Sequence, residues 1–312
     1  MIYSLAGACG ALSFVLTSSG ILAWANPSGN ILGPVSRILD SVSPWLLLFG
    51  FTLACLTLAL RLRVLGFLLI VFAMTSAAVQ FSSYRKLTVP LDQNVQADIR
   101  VLFFNALASN SASSRDIVSA TLDADADIVV FAEASALRPS MDELRASYKF
   151  VSSCSEDACE LIAATNLDVI RFWRLQLNPI WSERYAVLEF VRPDGETAFL
   201  AASHLVKPWF SGVSEPEIEK LVAQYNWLSG PSLAIGDFNM APWSRPMRGI
   251  LDQTGFRAVR GQPATWPAFP GPIRLPIDQL LVRDRVRVVN IETFGGHLRS
   301  NHLGIIADIA FK

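Results

Sequence analysis

An acid and an amide close the apolar run Leu233–Gly236: Asp237 comes first, then Phe238 and Asn239, with Pro231 before the run and Met240, Ala241 and Pro242 after it. A run bounded in this way fits a strand of a sheet core, and its polar end opens onto a ligand-facing loop, where an acid can move a proton and an amide can hold a ligand. The same placement recurs along the chain. Asn105 follows Val101–Phe104, Glu133 follows Ile128–Ala132, and His204 follows Phe199–Ser203. Asp278 stands in Pro276-Ile277-Asp278-Gln279, and Asn301-His302 precedes the last apolar run. Strand ends along one edge of a core are where sites are built on rigid supports.

The elements that must carry these residues are short. From Leu87 to Lys312, apolar runs alternate with amphipathic stretches over a length typical of one large domain. Period and composition predict strands near Arg100–Phe104, Asp127–Ala132, Glu160–Ala164, Tyr185–Val191, Ala198–Ser203, Ser232–Gly236, Ile277–Val282, Val286–Ile291 and Leu303–Ile309. Helices fit between them at Ser113–Leu122, Met141–Ser147 and Glu215–Leu228. Many strands and few helices point to two packed sheets with helices outside. The expected organisation is an anchor over residues 1–84, a polar linker over 85–98 containing Pro90, and a domain over 99–312.

The anchor follows from hydropathy. Mean hydropathy is +0.37, high for a soluble domain, and the excess lies at the N-terminus. Ile2–Ala25 and Val64–Tyr84 carry no charge, and Ser41–Leu60 is a third such stretch. Each approaches the roughly 20 residues that cross a hydrocarbon core, so a three-span membrane anchor is expected, with the lipid bilayer as its partner. Ala23, Trp24 and Ala25 also give the small-x-small pattern of a signal-peptide cleavage site, but the leading segment lacks Lys and Arg, and two more apolar stretches follow.

Charge bears on partners and placement. Beyond residue 86 lie 21 of the 26 Lys and Arg and 26 of the 27 Asp and Glu, a net charge of −5, with Asp40 the one acid left in the anchor. This balance gives no strong sign of non-specific nucleic-acid binding, which favours a basic surface. Arg61 and Arg63, between the second and third stretches, favour the cytoplasm, whereas Arg37, Arg85 and Lys86 oppose them. Cys154 and Cys159 stand five apart in a polar loop, where a local disulfide would suit an oxidising compartment. Together these favour a multi-pass protein of the cell membrane with its large domain extracytoplasmic.

In their order along the chain, Asn105, Glu133, Ser203-His204, Gly236-Asp237-Phe238-Asn239, Asp278 and Ser300-Asn301-His302 resemble the endonuclease/exonuclease/phosphatase superfamily, over about Ile99–Phe311. The resemblance implies an α/β fold, a four-layer sandwich around two mostly antiparallel sheets. It also implies a hydrolase of phosphate esters, using Mg²⁺ or Mn²⁺ to neutralise the anionic substrate. Glu133 would be the metal ligand, with Asn105 beside it. Asp237 would orient or deprotonate the attacking water, and Asn239 would donate to the phosphate. His204 and His302 would serve as bases or as charge-stabilising imidazolium groups, His302 being oriented by Asp278. One position departs from the family: Asn301 stands where the final motif usually has Asp, and an amide can coordinate only through a neutral oxygen. Gln279 stands where His or Tyr is also common.

The expectation is therefore a membrane-anchored phosphoesterase in which water attacks phosphorus in line. A lipid or envelope phosphate ester is favoured over nucleic acid, and Trp209 and Phe210 could form an apolar rim. A nuclease acting on extracytoplasmic nucleic acid is the alternative within the enzyme class. A catalytically weak scaffold, for which Asn301 is the best argument, is the alternative outside it.

Overall fold

The computed structural model describes residues 2–22, 32–153, 155, 159–269, 271 and 273–311. The small-x-small triplet Ala23–Ala25 and Cys154 lie outside the described residues. The chain divides into two compact units.

One unit is helical. It comprises Met1–Leu87 together with the segments Lys207–Gly212 and Met240–Gly249. Its helices are α1 (Ile2–Leu22), α2 (Leu32–Ser41), α3 (Ser43–Ala59) and α4 (Arg63–Lys86). Both α1 and α4 are long and apolar enough to cross a membrane. The expected third stretch, Ser41–Leu60, holds α3, 17 residues long, which meets α2 at 76°, and the bent pair is together long and apolar enough for one span. Pro44 explains the break, because proline suits the first turn of a new helix and disfavours helical backbone before it. Small residues let the helices approach closely. A Cβ on Gly50 would stand 2.5 Å from Thr17 Oγ1, and one on Gly66 would stand 2.5 Å from the Leu58 backbone nitrogen. Ser13 Oγ donates across the same contact to the Gly50 carbonyl at 2.7 Å.

The other unit is an α+β sandwich of Thr88–Val206, Val213–Asn239 and Ile250–Lys312. Its seven-stranded sheet runs β1 (Thr88–Val89), β10 (Arg257–Val259), β11 (Asp278–Arg283), β9 (Ser232–Asp237), β8 (Thr197–His204), β7 (Tyr185–Val191), β6 (Val169–Leu175). Its six-stranded sheet runs β12 (Val286–Phe294), β13 (Gly304–Phe311), β2 (Ile99–Asn105), β3 (Ile128–Ala132), β5 (Leu161–Thr165), β4 (Phe150–Val151). Pairs β1/β10, β8/β9 and β2/β3 are parallel, and the others are antiparallel.

Alternation along β2 shows how the layers form. Val101 and Phe103 point between the sheets, where they meet Val130, Leu188, Leu200, Ile235, Leu280 and Ile305. Leu102 and Phe104 point the other way, onto Ile117 of α5 (Ser114–Asp123) and Leu144 of α6 (Met141–Ser147). Behind the other sheet, Tyr225 of α7 (Ser214–Trp227) packs on Tyr185 of β7, with ring centroids 6.2 Å apart. Burying one such aromatic side chain contributes about 2–3 kcal/mol, so the strand ends are held by a large shared core. Helix α8 spans Arg245–Thr254.

Candidate active site

Strand register gathers the polar residues before any side chain acts. In the seven-stranded sheet, Asp237 is paired with His204 across the parallel β8/β9 contact and with Asp278 across the antiparallel β9/β11 contact. In the six-stranded sheet Asn105 pairs with Ala132, which places Glu133 next to it, and Ala132 pairs with Leu161, which places Glu160 at the same edge. Gly236 sets the spacing of β8 and β9: a Cβ there would lie 1.8 Å from the Ser203 carbonyl oxygen. Two site residues hold left-handed backbone, Glu133 at φ 51° and Asn239 at φ 52°. Non-glycine residues there cost on the order of 1 kcal/mol, a strain the surrounding strands must hold in place.

The side chains converge on one atom, Asp237 Oδ2. Asn105 Nδ2 donates to it at 3.2 Å, and the Nε2 atoms of His204 and His302 each stand 3.8 Å from it. Its other oxygen accepts the Asn239 backbone N–H at 2.9 Å, and the Asn239 side chain donates to the Leu205 carbonyl at 2.8 Å. Each imidazole presents its Nδ1 to a second carboxylate. His302 Nδ1 lies 2.9 and 3.1 Å from the two oxygens of Asp278, and His204 Nδ1 lies 3.1 Å from Glu160. Asp278 is held in turn by Thr265, whose Oγ1 accepts the Asp278 backbone N–H at 3.3 Å. Ser300 fixes the approach of the last motif, because its Oγ donates to the Asn105 carbonyl at 2.7 Å and accepts the His302 N–H at 3.1 Å.

Asn105, Glu133, His204, Asp237, Asn239, Asp278 and His302 thus stand in one network. Asn301 is exposed, and among the described residues its contact is made by the backbone, whose carbonyl accepts from Ala268 at 2.8 Å. Gln279 is buried and accepts from Gln262 at 3.2 Å, which is a packing role beneath Asp278. Sequence reasoning missed Glu160. It precedes its strand instead of following one, and the available signal is that an antiparallel strand begins at the edge where its neighbour ends.

Burial and charge set the protonation of the pair at His302. Burial alone would lower the His302 pKa, but Asp278, Asp237 and Glu133 outweigh it and bring it up to about 9. Burial also pushes Asp278 upward, so the two groups share one proton across the neutral range. Glu160 moves the other way. Burial would raise it, yet His204 and Arg184, the latter 3.3 Å away, hold it below the usual carboxylate range.

Two places in this network have donors for a cation. Asp237, Asp278 and His302 offer ligand atoms within 4.8 Å of one another and could hold an ion. One of the two carboxylate charges is offset by the His302 proton, to which Asp278 presents both oxygens. The second place lies between Glu133 and Asp237, whose carboxylates both reach the Asn105 amide, at 3.3 and 3.2 Å. Two like charges there share one neutral N–H donor, and their oxygens are of the hard type that divalent cations take.

Two sheets carrying acids, amides and paired imidazoles on one edge define the class, hydrolases acting on phosphoester bonds. The particular family is given by the chain itself: the model of the Endonuclease/Exonuclease/phosphatase family matches residues 94–302, and the protein belongs to that family. Solved structures agree in fold. The D. rerio TDP2 complexed with single strand DNA product is 15% identical, with 68% of this chain and 98% of that chain covered and a TM-score of 0.54. An endonuclease/exonuclease/phosphatase family protein from Leptotrichia buccalis is 14% identical, with 68% and 100% covered and a TM-score of 0.53. Sphingomyelinase C from Streptomyces griseocarneus is 14% identical, with 69% and 99% covered and a TM-score of 0.52. At these identities the likeness is one of fold. No curated protein sequence matches the chain.

Proposed function

We propose that the protein is a membrane-anchored, divalent-metal-dependent phosphoesterase that hydrolyses a lipid or envelope phosphate ester by in-line attack of water. The observation that carries this reading is the convergence of two imidazoles and one amide on Asp237 Oδ2. A carboxylate so placed accepts the proton of an attacking water, and the imidazole N–H groups donate to the phosphoryl oxygens as charge develops on them. Asp278 and Glu160 keep His302 and His204 aimed, and the Asn239 N–H holds Asp237 in its rotamer. Glu133 and Asn105 would hold Mg²⁺ or Mn²⁺, with Asn301 as a neutral third donor. The cation would supply charge neutralisation at the substrate phosphate.

The anchor supports the lipid preference. Two of its helices meet the requirements of a membrane span, and Trp209 is half exposed with Lys207 against its ring, an arrangement suited to the membrane interface. Placement of the sandwich outside the cytoplasm, with three crossings and Arg61 and Arg63 inside, is supported by Cys159, which is disulfide-bonded. A reporter fused after Lys312 that works only in the cytoplasm would overturn that placement.

The test is turnover by the purified full chain with Mg²⁺ on phospholipid vesicles, a chromogenic phosphodiester, a phosphomonoester and DNA. We expect the phospholipid to be cleaved fastest. DNA as the best substrate would replace this reading with a nuclease. No turnover of any substrate, unchanged by Asn301→Asp, would replace it with the scaffold.

A further inference from the structure

Asp40 is the one acidic residue among the first 86, and it is fully buried in the helical unit. A carboxylate placed among apolar helices is costly unless a partner takes its charge. Its partner within that unit is the segment that follows the Gly-Asp-Phe-Asn motif. Asp40 Oδ2 accepts the backbone N–H of Arg245, the first residue of α8, and Arg245 and Arg248 are its charged neighbours. The first N–H groups of a helix have no partner inside the helix, and a carboxylate there also complements the helix dipole.

Neighbouring bonds reinforce this one. The Ser41 carbonyl accepts from Trp243 Nε1 at 3.0 Å, and Ser41 Oγ accepts from the Ala241 N–H at 3.4 Å. Trp45 and Tyr84 pack on the Trp243 ring, with centroids 6.1 and 6.3 Å away. Arg37 Nε donates to the Pro208 carbonyl at 2.8 Å, so the segment after His204 is held in the same unit. Arg245–Gly249 of helix α8 belongs to this unit.

We infer that Asp40 is a positioning residue for the active site: from the anchor, it caps α8 and fixes the segment that sets Asp237, Phe238 and Asn239. The anchor is then part of the catalytic apparatus as well as a tether. The inference rests on the function proposed above only where turnover is measured.

The experiment uses the full chain in lipid nanodiscs and compares wild type with Asp40→Ala and Asp40→Asn. It reads amide hydrogen exchange at residues 238–247, together with kcat and KM for a soluble chromogenic phosphodiester with Mg²⁺. For Asp40→Ala we expect exchange across 238–247 to rise at least tenfold and kcat to fall about tenfold, with KM changed less than twofold and the melting temperature nearly unchanged. Asp40→Asn, which keeps an acceptor for the Arg245 N–H, recovers part of both losses. Should Asp40→Ala fail to fold, Trp243→Phe removes only the indole N–H bond to Ser41 and is expected to raise the same exchange about threefold. Exchange unchanged at Phe238 and Asn239 in a folded Asp40→Ala or Trp243→Phe protein overturns the inference, as does raised exchange with kcat intact. If the wild type turns over no substrate, the proposed function fails while exchange at Phe238 and Asn239 still decides whether Asp40 positions the motif.

Discussion

His204 and His302 stand in the same relation to Asp237, each with Nε2 3.8 Å from one oxygen and Nδ1 turned to a second carboxylate, yet their surroundings differ. The partner of His302 is fully buried and, among the described residues, its ion pair is with the imidazole, whereas the side chain of Glu160 is 22% exposed and also meets Arg184. Asp278 therefore shares its proton with His302, while Glu160 keeps its charge. Geometry alone would make the two arms equivalent. Solvent and the added guanidinium make His302 the arm that holds a proton firmly and His204 the arm with a screened partner.

The largest effect falls on the atom both arms share. Asp237→Asn should lower kcat by about 10³-fold, the range of a lost general base. A variant within tenfold of wild type would remove Asp237 from its assigned role. Next, His302→Ala should cost about 10²- to 10³-fold and His204→Ala about 10- to 10²-fold, because charge stabilisation is worth more in the drier arm. Equal losses, or the reverse order, would break the comparison. One step out, Asp278→Asn should cost about 10²-fold and Glu160→Gln about fivefold, since a partly exposed, screened pair contributes less. The split between kcat and KM for the two variants, measured on one substrate, checks this.

The smallest effect is on stability at acid pH. Glu160 has its folded pKa below the unfolded value of 4.5, so its contribution is complete above 4.5 and is lost as pH falls through the folded value. Below pH 4.5 the melting temperature of wild type should therefore drop further than that of Glu160→Gln, by about 2 °C. Parallel curves for the two proteins would show that the ion pair contributes nothing to folding.

Much of the sandwich was legible because its core strands are apolar on both faces and end on residues that do chemistry. Predicted Tyr185–Val191 and Met141–Ser147 coincide with β7 and α6, and most other bounds shift by a residue or two. The strand β6 was not legible. Its sequence, Val-Ile-Arg-Phe-Trp-Arg-Leu, lies at a sheet edge with half-exposed faces, so Arg171 and Arg174 break the alternation that marks a core strand. Helix α8 was hidden by Pro246, which suits a first turn but reads as a breaker, and by a cap that lies some 200 residues away at Asp40. Glu160, 44 residues from His204, was hidden because its meaning depends on which edge of the sheet it reaches.

Gly236 carries a consequence for inheritance. Because any side chain there would collide with the Ser203 carbonyl, β8 and β9 would have to part, and His204 and Asp237 ride on those two strands as paired residues. A substitution at this position would change the gap between imidazole and carboxylate while leaving both groups in place. The residue with no side chain thus acts as the ruler of the site, and a lineage can lose the reaction there without altering one reactive atom.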